Sequence, residues 1–287
     1  MRAQPLDAPF GARLLLENEG PLVAAEQATL RRLFAEHGLL VLQEGDLPPE
    51  RQIELLSVLG RIEPDETGRP MRMEVTNQHD RSTAPPGELV FHYDYAYDPA
   101  PIPAISMYGE VVAEGATPTL FASSRTVLER LPAGLVEDLR RRIVSHACFL
   151  FRPDAPSVRS REPDPILPRG HPDWGPEHYW ARHPAIFRNG SGVETLFVCQ
   201  QHTDRIHGMA RDESDEVLAE IYSAMYAPEH VYAHAWRPGD LVIWDNLTVQ
   251  HARPEPNPAP RTLRRYHVSE TDLTADYLRV ARERGFV

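Results

Sequence analysis

His92 and Asp94 are separated by one residue in FHYDYAY, and His251 follows the apolar run of DLVIWDNLTVQHARP. In an extended strand, residues two apart point to the same side, so His92 and Asp94 present a nitrogen and a carboxylate oxygen together while Tyr93 turns away. His251 completes two imidazoles and one carboxylate. That facial set leaves coordination positions open and suits non-haem Fe(II) oxygen chemistry. Alone, the HxD pair is a weak motif that arises by chance in many chains. The distal segment gives it weight, because a histidine just past a buried strand can face a cavity.

A second strand-like run follows in PRTLRRYHVSE, where Arg261, Leu263, Arg265 and His267 share one face. A buried guanidinium is costly unless it meets an anion, so two of them beside a metal ligand call for carboxylates in the site, such as a dicarboxylate cosubstrate. On the residues alone two alternatives stay open. Arg264 and Tyr266 could face inward instead, or the arginines could pair with protein carboxylates. His230 and His234 are four apart, a spacing that binds zinc on a helix, but Pro228 and the β-branched and aromatic neighbours favour a strand and no HExxH follows. His202 and His207, in a loop before a helix, and His171, His178 and His183, in or beside a proline-rich stretch, read as surface or lid residues. No GxSxG, phosphate-binding glycine loop, GxGxxG or cysteine-nucleophile context is present.

The elements that must position these groups are mostly strands. Apolar spacing predicts a helix over 22–37 closed by Gly38, the strand LLVLQ, and a second helix around 49–60. MRMEVTN, LVFHYDYAY, AISMYGEVV, TLFAS, IVSHACFLF, PAIFR, ETLFVC, VYAHAW, DLVIW and TLRRYHVS read as strands. Helical patterns interrupt them near 124–141 and 213–226, and a last helix is expected near 271–284. This order predicts one mostly β domain over 1–287 with helical cladding, a double-stranded β-helix of the jelly-roll, cupin-like kind. Residues 152–182, broken by seven prolines from Pro153 to Pro176, read as an active-site lid or, equally, as a disordered or decorative surface insertion.

Composition narrows the function. The net charge of -12 disfavours nucleic acid. None of the 30 basic residues is a lysine, which excludes a Schiff-base mechanism and supplies many guanidiniums. Cys148 and Cys199 lie far apart in apolar stretches, as buried thiols do. No run suits a membrane span and the N-terminus lacks a secretory pattern, so the expected location is the cytoplasm. The terminal helices have apolar positions that suit a homo-oligomer, a dimer by preference, or that simply cover the barrel.

The segments HYD, EGATPTLFASS, WDNLTVQHARP and RTLRR, in this order and spacing, resemble the taurine dioxygenase family, which includes 2,4-dichlorophenoxyacetate dioxygenase. The resemblance runs from about residue 25 to 270. It implies Fe(II) held by His92, Asp94 and His251, with 2-oxoglutarate and O2 as cosubstrates. It further implies that Thr119 binds 2-oxoglutarate, although GATPT departs from the family's Gly-Gly-Asp-Thr. Arg261 matches the arginine that pairs with the distal carboxylate of 2-oxoglutarate, and Arg265 matches a second arginine that serves cosubstrate or substrate. Asp94 stands where halogenating relatives have a small residue, so halogenation is not expected. The family's taurine-binding residues are not evident, and Asn77 is placed by position alone in the substrate pocket. The implied reaction is hydroxylation, or another oxidation such as desaturation, ring formation or epimerisation, at an unactivated C–H of a small, possibly anionic, organic acid, amino-acid derivative or specialised metabolite. The competing readings are a non-enzymatic jelly-roll metal- or ligand-binding protein and a zinc-dependent hydrolase.

Overall fold

The computed structural model describes residues 1–18, 20–43, 45–80, 82–84, 87–147 and 180–269. The first expected helix is α1 (Ala24–His37), which buries Leu30 and Leu33. Gly38 ends it in the left-handed region at φ 69° and donates its N–H to the Phe34 carbonyl, a conformation that strains any residue with a Cβ. Arg125 adds a cap from a distant part of the chain, donating to the Ala35 and Glu36 carbonyls at 3.0 and 3.1 Å, where a cation meets the negative end of the helix. α2 (Pro49–Ser57) starts on a proline, whose missing N–H costs nothing in a first turn, and buries Leu55 and Leu56. The stretch 124–141 resolves into a short 3-10 turn and α3 (Ala133–Leu139). α4 (Arg211–Met225) buries Leu218, Ile221 and Met225.

The rest is mostly β. In chain order the strands are β1 (Arg2–Pro5), β2 (Ala12–Leu15), β3 (Leu39–Gln43), β4 (Met73–Thr76), β5 (Leu89–His92), β6 (Ala104–Val112), β7 (Thr119–Ser123) and β8 (Ile143–Ala147). They continue with β9 (Trp180–Pro184), β10 (Ile186–Arg188), β11 (Glu194–Leu196), β12 (Thr203–Ile206), β13 (Val231–His234), β14 (Asp240–Asp245), β15 (Val249–Arg253) and β16 (Arg261–Val268). One sheet has the order β1-β2-β3-β14-β6-β16-β4 and a second the order β13-β7-β15-β5. Their inner faces meet in an apolar layer, with Val41, Ile105, Val242 and Trp244 of the larger sheet against Phe121 and Val249 of the smaller.

The alternate residues of the larger sheet, Leu40, Leu42, Leu241 and Ile243, pack outward on Leu30, Leu33, Leu55 and Leu56 of α1 and α2. That double burial is why LLVLQ and DLVIW are unbroken apolar runs rather than alternating ones. Behind the smaller sheet, α4 and the β12-β8-β9 sheet bury Phe91, Ala122 and Ala252. No helix of the described residues is long and apolar enough to cross a membrane.

Four expectations change. The hairpin of β1 and β2 has no counterpart in the sequence reading, because its outer strand is largely exposed and lacks an apolar pattern. His251 lies inside its own strand, β15, rather than in the turn after β14. β5 ends at His92, so Asp94 belongs to a turn and not to the strand. His202 and His183 are buried rather than on the surface. Most of the expected lid, Cys148, His171, His178 and the helix near 271–284 lie outside the described residues.

Candidate metal centre

β5 and β15 are antiparallel neighbours, and their register sets His92 directly opposite His251. Directly opposed residues of such a pair project to the same face with Cβ atoms about 5 Å apart, and here the imidazole centroids are 4.2 Å apart. Asp94 joins them from the turn. Its Oδ1 is 3.5 Å from His92 Nε2 and its Oδ2 is 3.7 Å from His251 Nε2. Donor atoms of all three residues lie within 4.8 Å of one another. Metal–ligand bonds of about 2.1 Å would set neighbouring ligand atoms roughly 3 Å apart, so a small inward movement closes this triangle on one ion.

A backbone device holds Asp94 where the strand stops. Asn246, in the turn after β14, accepts the Asp94 N–H on Oδ1 at 3.1 Å and donates Nδ2 to the Asp94 carbonyl at 2.9 Å. The same amide also donates to the Ile102 carbonyl. The next residue, Tyr95, is in the left-handed region at φ 57°, which costs a non-glycine residue about 1–2 kcal/mol. The clamp and the burial of Tyr95 offset that cost. Tyr93 points the other way, stacked on Phe197 with its hydroxyl on Ser124 and the Leu196 carbonyl. The sidedness of HYD therefore holds, but a clamped turn produces it.

The imidazoles are in the state a metal needs. His92 Nδ1 lies 2.8 Å from the Val90 carbonyl, which fixes its proton there and leaves the Nε2 lone pair facing Asp94. Burial pushes the His92 pKa down to about 4. It takes His251 and His202 well below the usual imidazole range, with neighbouring His92 adding to the effect. His251 Nδ1 is buried with no hydrogen-bond partner among the described residues.

One prediction follows from burial alone. The unfolded chain protonates its histidines near pH 6.5, whereas folded His92 resists until about pH 4. Below pH 6.5 the unfolded state therefore binds more protons, and stability falls as pH falls. His92 alone accounts for about 3 kcal/mol by pH 4. His146, His202 and His251 shift in the same direction. Thermal melts of metal-free protein at pH 7.5 and 5.0 test this, and an unchanged midpoint would refute it.

The centre opens into a cavity lined by Thr119, Arg253, Arg261, Leu263 and Arg265 as well as His92, Asp94 and His251. β16 thus presents Arg261, Leu263 and Arg265 to the cavity, while Arg264 packs on the Tyr108 ring and pairs with Glu110 on the opposite face. Arg265 Nη2 contacts Asp94 Oδ2, and burial lowers its pKa to about 9.

Arg261 is different. It is 2% exposed, donates Nη1 to the Thr117 carbonyl, and has no carboxylate partner among the described residues. Burial and neighbouring Arg253 hold its pKa down to about 10. An uncompensated buried guanidinium in a cavity marks an anion site.

Asn77 does not line the cavity. Its amide bridges the Asn257 and Ala259 carbonyls and the Arg261 N–H, so it is spent on the loop before β16. His230 and His234 share no helix face, and His234 instead sits 3.2 Å from Asp240.

Three cavity or near-cavity residues were not foreseen. Arg253, two residues after His251 on β15, could have been read from alternation. His202, edge-on to His92 at 5.9 Å and to Tyr97 at 4.9 Å, arrives from a loop and left no local signal. Asn246 lies within WDNLTVQHARP, where nothing local signals that its amide reaches the Asp94 backbone.

The family described as taurine catabolism dioxygenase TauD, TfdA matches residues 2–267. Pentalenolactone F synthase of Streptomyces avermitilis is 32% identical over 198 residues, 65% of this chain and 62% of that protein. Its counterpart in Streptomyces arenae is 40% identical over 91 residues, 31% of this chain and 30% of that protein. The chain thus spans less than two thirds of either synthase. The (S)-phenoxypropionate/alpha-ketoglutarate-dioxygenase of Sphingobium herbicidovorans is 26% identical over 271 residues, 86% of this chain and 87% of that protein. A taurine dioxygenase structure from Burkholderia xenovorans shares the fold, with a TM-score of 0.73 at 19% identity over 93% of this chain and 90% of that one. With the match reaching from the first strand to the last, this chain belongs to the TauD, TfdA dioxygenase family.

Proposed function

We propose that this protein is an Fe(II)- and 2-oxoglutarate-dependent dioxygenase that hydroxylates an unactivated C–H bond of a small anionic organic acid, amino-acid derivative or specialised metabolite. In this reading the two facing sheets are a double-stranded β-helix with the centre at one end. The observation that carries it is the joining, in one cavity, of the His92, Asp94 and His251 triangle to a buried arginine with no carboxylate of its own among the described residues.

His92, Asp94 and His251 would together hold Fe(II). When bound, Fe(II) couples the decarboxylation of 2-oxoglutarate by O2, giving succinate and CO2, to insertion of one oxygen atom into the substrate C–H bond. The chain's own tasks are positional. Arg261 and Thr119 bind and orient the distal carboxylate of 2-oxoglutarate. Arg265 fixes the Asp94 carboxylate and, with Arg253, makes the wall positive, which suits an anionic substrate. The buried rings of Tyr97 and His202 exclude water from the His92 side.

The test is an anaerobic visible-absorption titration of metal-free protein with Fe(II) and 2-oxoglutarate, followed by succinate release on admitting O2. A charge-transfer band and O2-dependent succinate are expected. Iron binding without a band would leave a metal-binding protein, and substrate turnover without O2 a zinc hydrolase.

The Asn246 clamp has its own expected result. Asn246→Ala should lower Fe(II) affinity about 10–100-fold, the usual cost of losing the support behind a ligand. It should leave the affinity of the iron-loaded protein for 2-oxoglutarate within about threefold, because Arg261 and Thr119 are untouched. Equal iron affinity in both proteins would show that the Asp94 turn holds without the clamp.

A further inference from the structure

One hydrogen bond in the cavity wall has a direction fixed by chemistry. Trp236 Nε1 lies 2.9 Å from Thr119 Oγ1, and both side chains are buried. An indole nitrogen can only donate, so Thr119 Oγ is the acceptor and its own proton must go elsewhere. Among the described residues no acceptor takes that proton. Thr119 also lines the cavity beside His92, Asp94, His251 and Arg261.

The indole is itself held in place. His234 meets it edge-on, with centroids 4.6 Å apart, and the His234 ring lies 2.9 Å from the Tyr232 hydroxyl and 3.2 Å from Asp240. β13 pairs with β7 so that His234 is opposite Thr119, which ties both ends of the arrangement to one ladder.

We infer that Trp236 is a positioning residue that turns Thr119 into an obligate donor to the cavity, so that Thr119 and Arg261 present hydrogens together to one carboxylate of the cosubstrate. The inference rests on the oxygenase reading above. Without the indole N–H, the Thr119 hydroxyl is free to rotate, and its proton is no longer committed to the ligand. A role in packing alone would require only the ring.

The experiment compares wild type, Trp236→Phe, Thr119→Val, Thr119→Ser and the Trp236→Phe/Thr119→Val double variant. Fe(II) affinity is measured first, then 2-oxoglutarate affinity of the iron-loaded protein by anaerobic titration of the charge-transfer band. Trp236→Phe keeps an aromatic ring but loses the N–H, and is expected to bind Fe(II) normally while its Kd for 2-oxoglutarate rises about tenfold. Thr119→Ser should resemble wild type. The double variant should be no weaker than Thr119→Val, since the indole acts only through the hydroxyl. Unchanged 2-oxoglutarate binding in Trp236→Phe, or additive losses in the double variant, would overturn the inference.

If Trp236→Phe does not fold, 15N-tryptophan spectra of metal-free Thr119→Val decide the matter. One of the four indole N–H signals should shift and exchange faster, and four unmoved signals would overturn the inference. A wild type that shows no band at all would instead sink the oxygenase reading itself.

Discussion

Asp94→Ala is expected to abolish the Fe(II)–2-oxoglutarate charge-transfer band and O2-dependent succinate release. Two of the three proposed ligands remain, but they come from adjacent strands on one side, and the only anionic ligand of the centre is gone. Iron affinity should fall by more than the roughly 10–100-fold that removal of an outer-shell partner costs.

A second consequence separates this residue from an ordinary ligand. Arg265 is buried against Asp94, so the alanine variant removes its direct ion pair and leaves it only the field of Glu63; breaking such a pair costs about 3–5 kcal/mol. Metal-free Asp94→Ala should therefore melt well below wild type, and Asp94→Ala/Arg265→Met should recover most of that loss without recovering iron. Full iron binding by Asp94→Ala would remove the carboxylate from the centre. An unchanged melting point would mean that Arg265 finds another partner.

Arg261→Met should show the opposite pattern. The guanidinium is buried without a carboxylate among the described residues, so an apolar side chain of similar length is expected to leave the ligand-free melting temperature unchanged or higher. Binding of 2-oxoglutarate should weaken by about 2–5 kcal/mol, at least roughly 30-fold in Kd. Iron affinity should stay at the wild-type level. Arg261→Lys keeps the charge and loses the fork, so it should fall between the two. Wild-type 2-oxoglutarate affinity in Arg261→Met would place the cosubstrate elsewhere. A large drop in ligand-free stability would show that the guanidinium is compensated within the protein.

The chemistry of this centre was more legible in the sequence than its geometry. Two histidines, a carboxylate and a pair of arginines at strand spacing are visible because residue type carries chemical meaning and alternation carries sidedness. The route to Asp94 was not visible, since a continued strand and a clamped turn both turn it toward His92. Only the tertiary contact with Asn246 distinguishes them. Asn77 failed for a related reason. Position along the chain brought it near β16, but its amide is consumed by three backbone groups.

Of the fold, α1 was readable from Leu30, Leu33 and the closing Gly38, and the buried strands from runs such as LLVLQ. Sheet order was not. The placement of β14 between β3 and β6 depends on pairings between distant segments that no local pattern encodes. The approach of His202 to His92 is of the same kind.

The pairing of β5 with β15 also bears on how the protein folds. His92 and His251 become neighbours only when strands from opposite halves of the sequence have joined in register. No single hairpin or local segment can assemble the triangle, so a partly folded chain has no competent iron site. Iron in the growth medium would therefore act as a selective ligand of the completed fold, slowing its unfolding rather than templating its formation. Core substitutions far from the cavity would then lower iron occupancy in proportion to the population of open states they create.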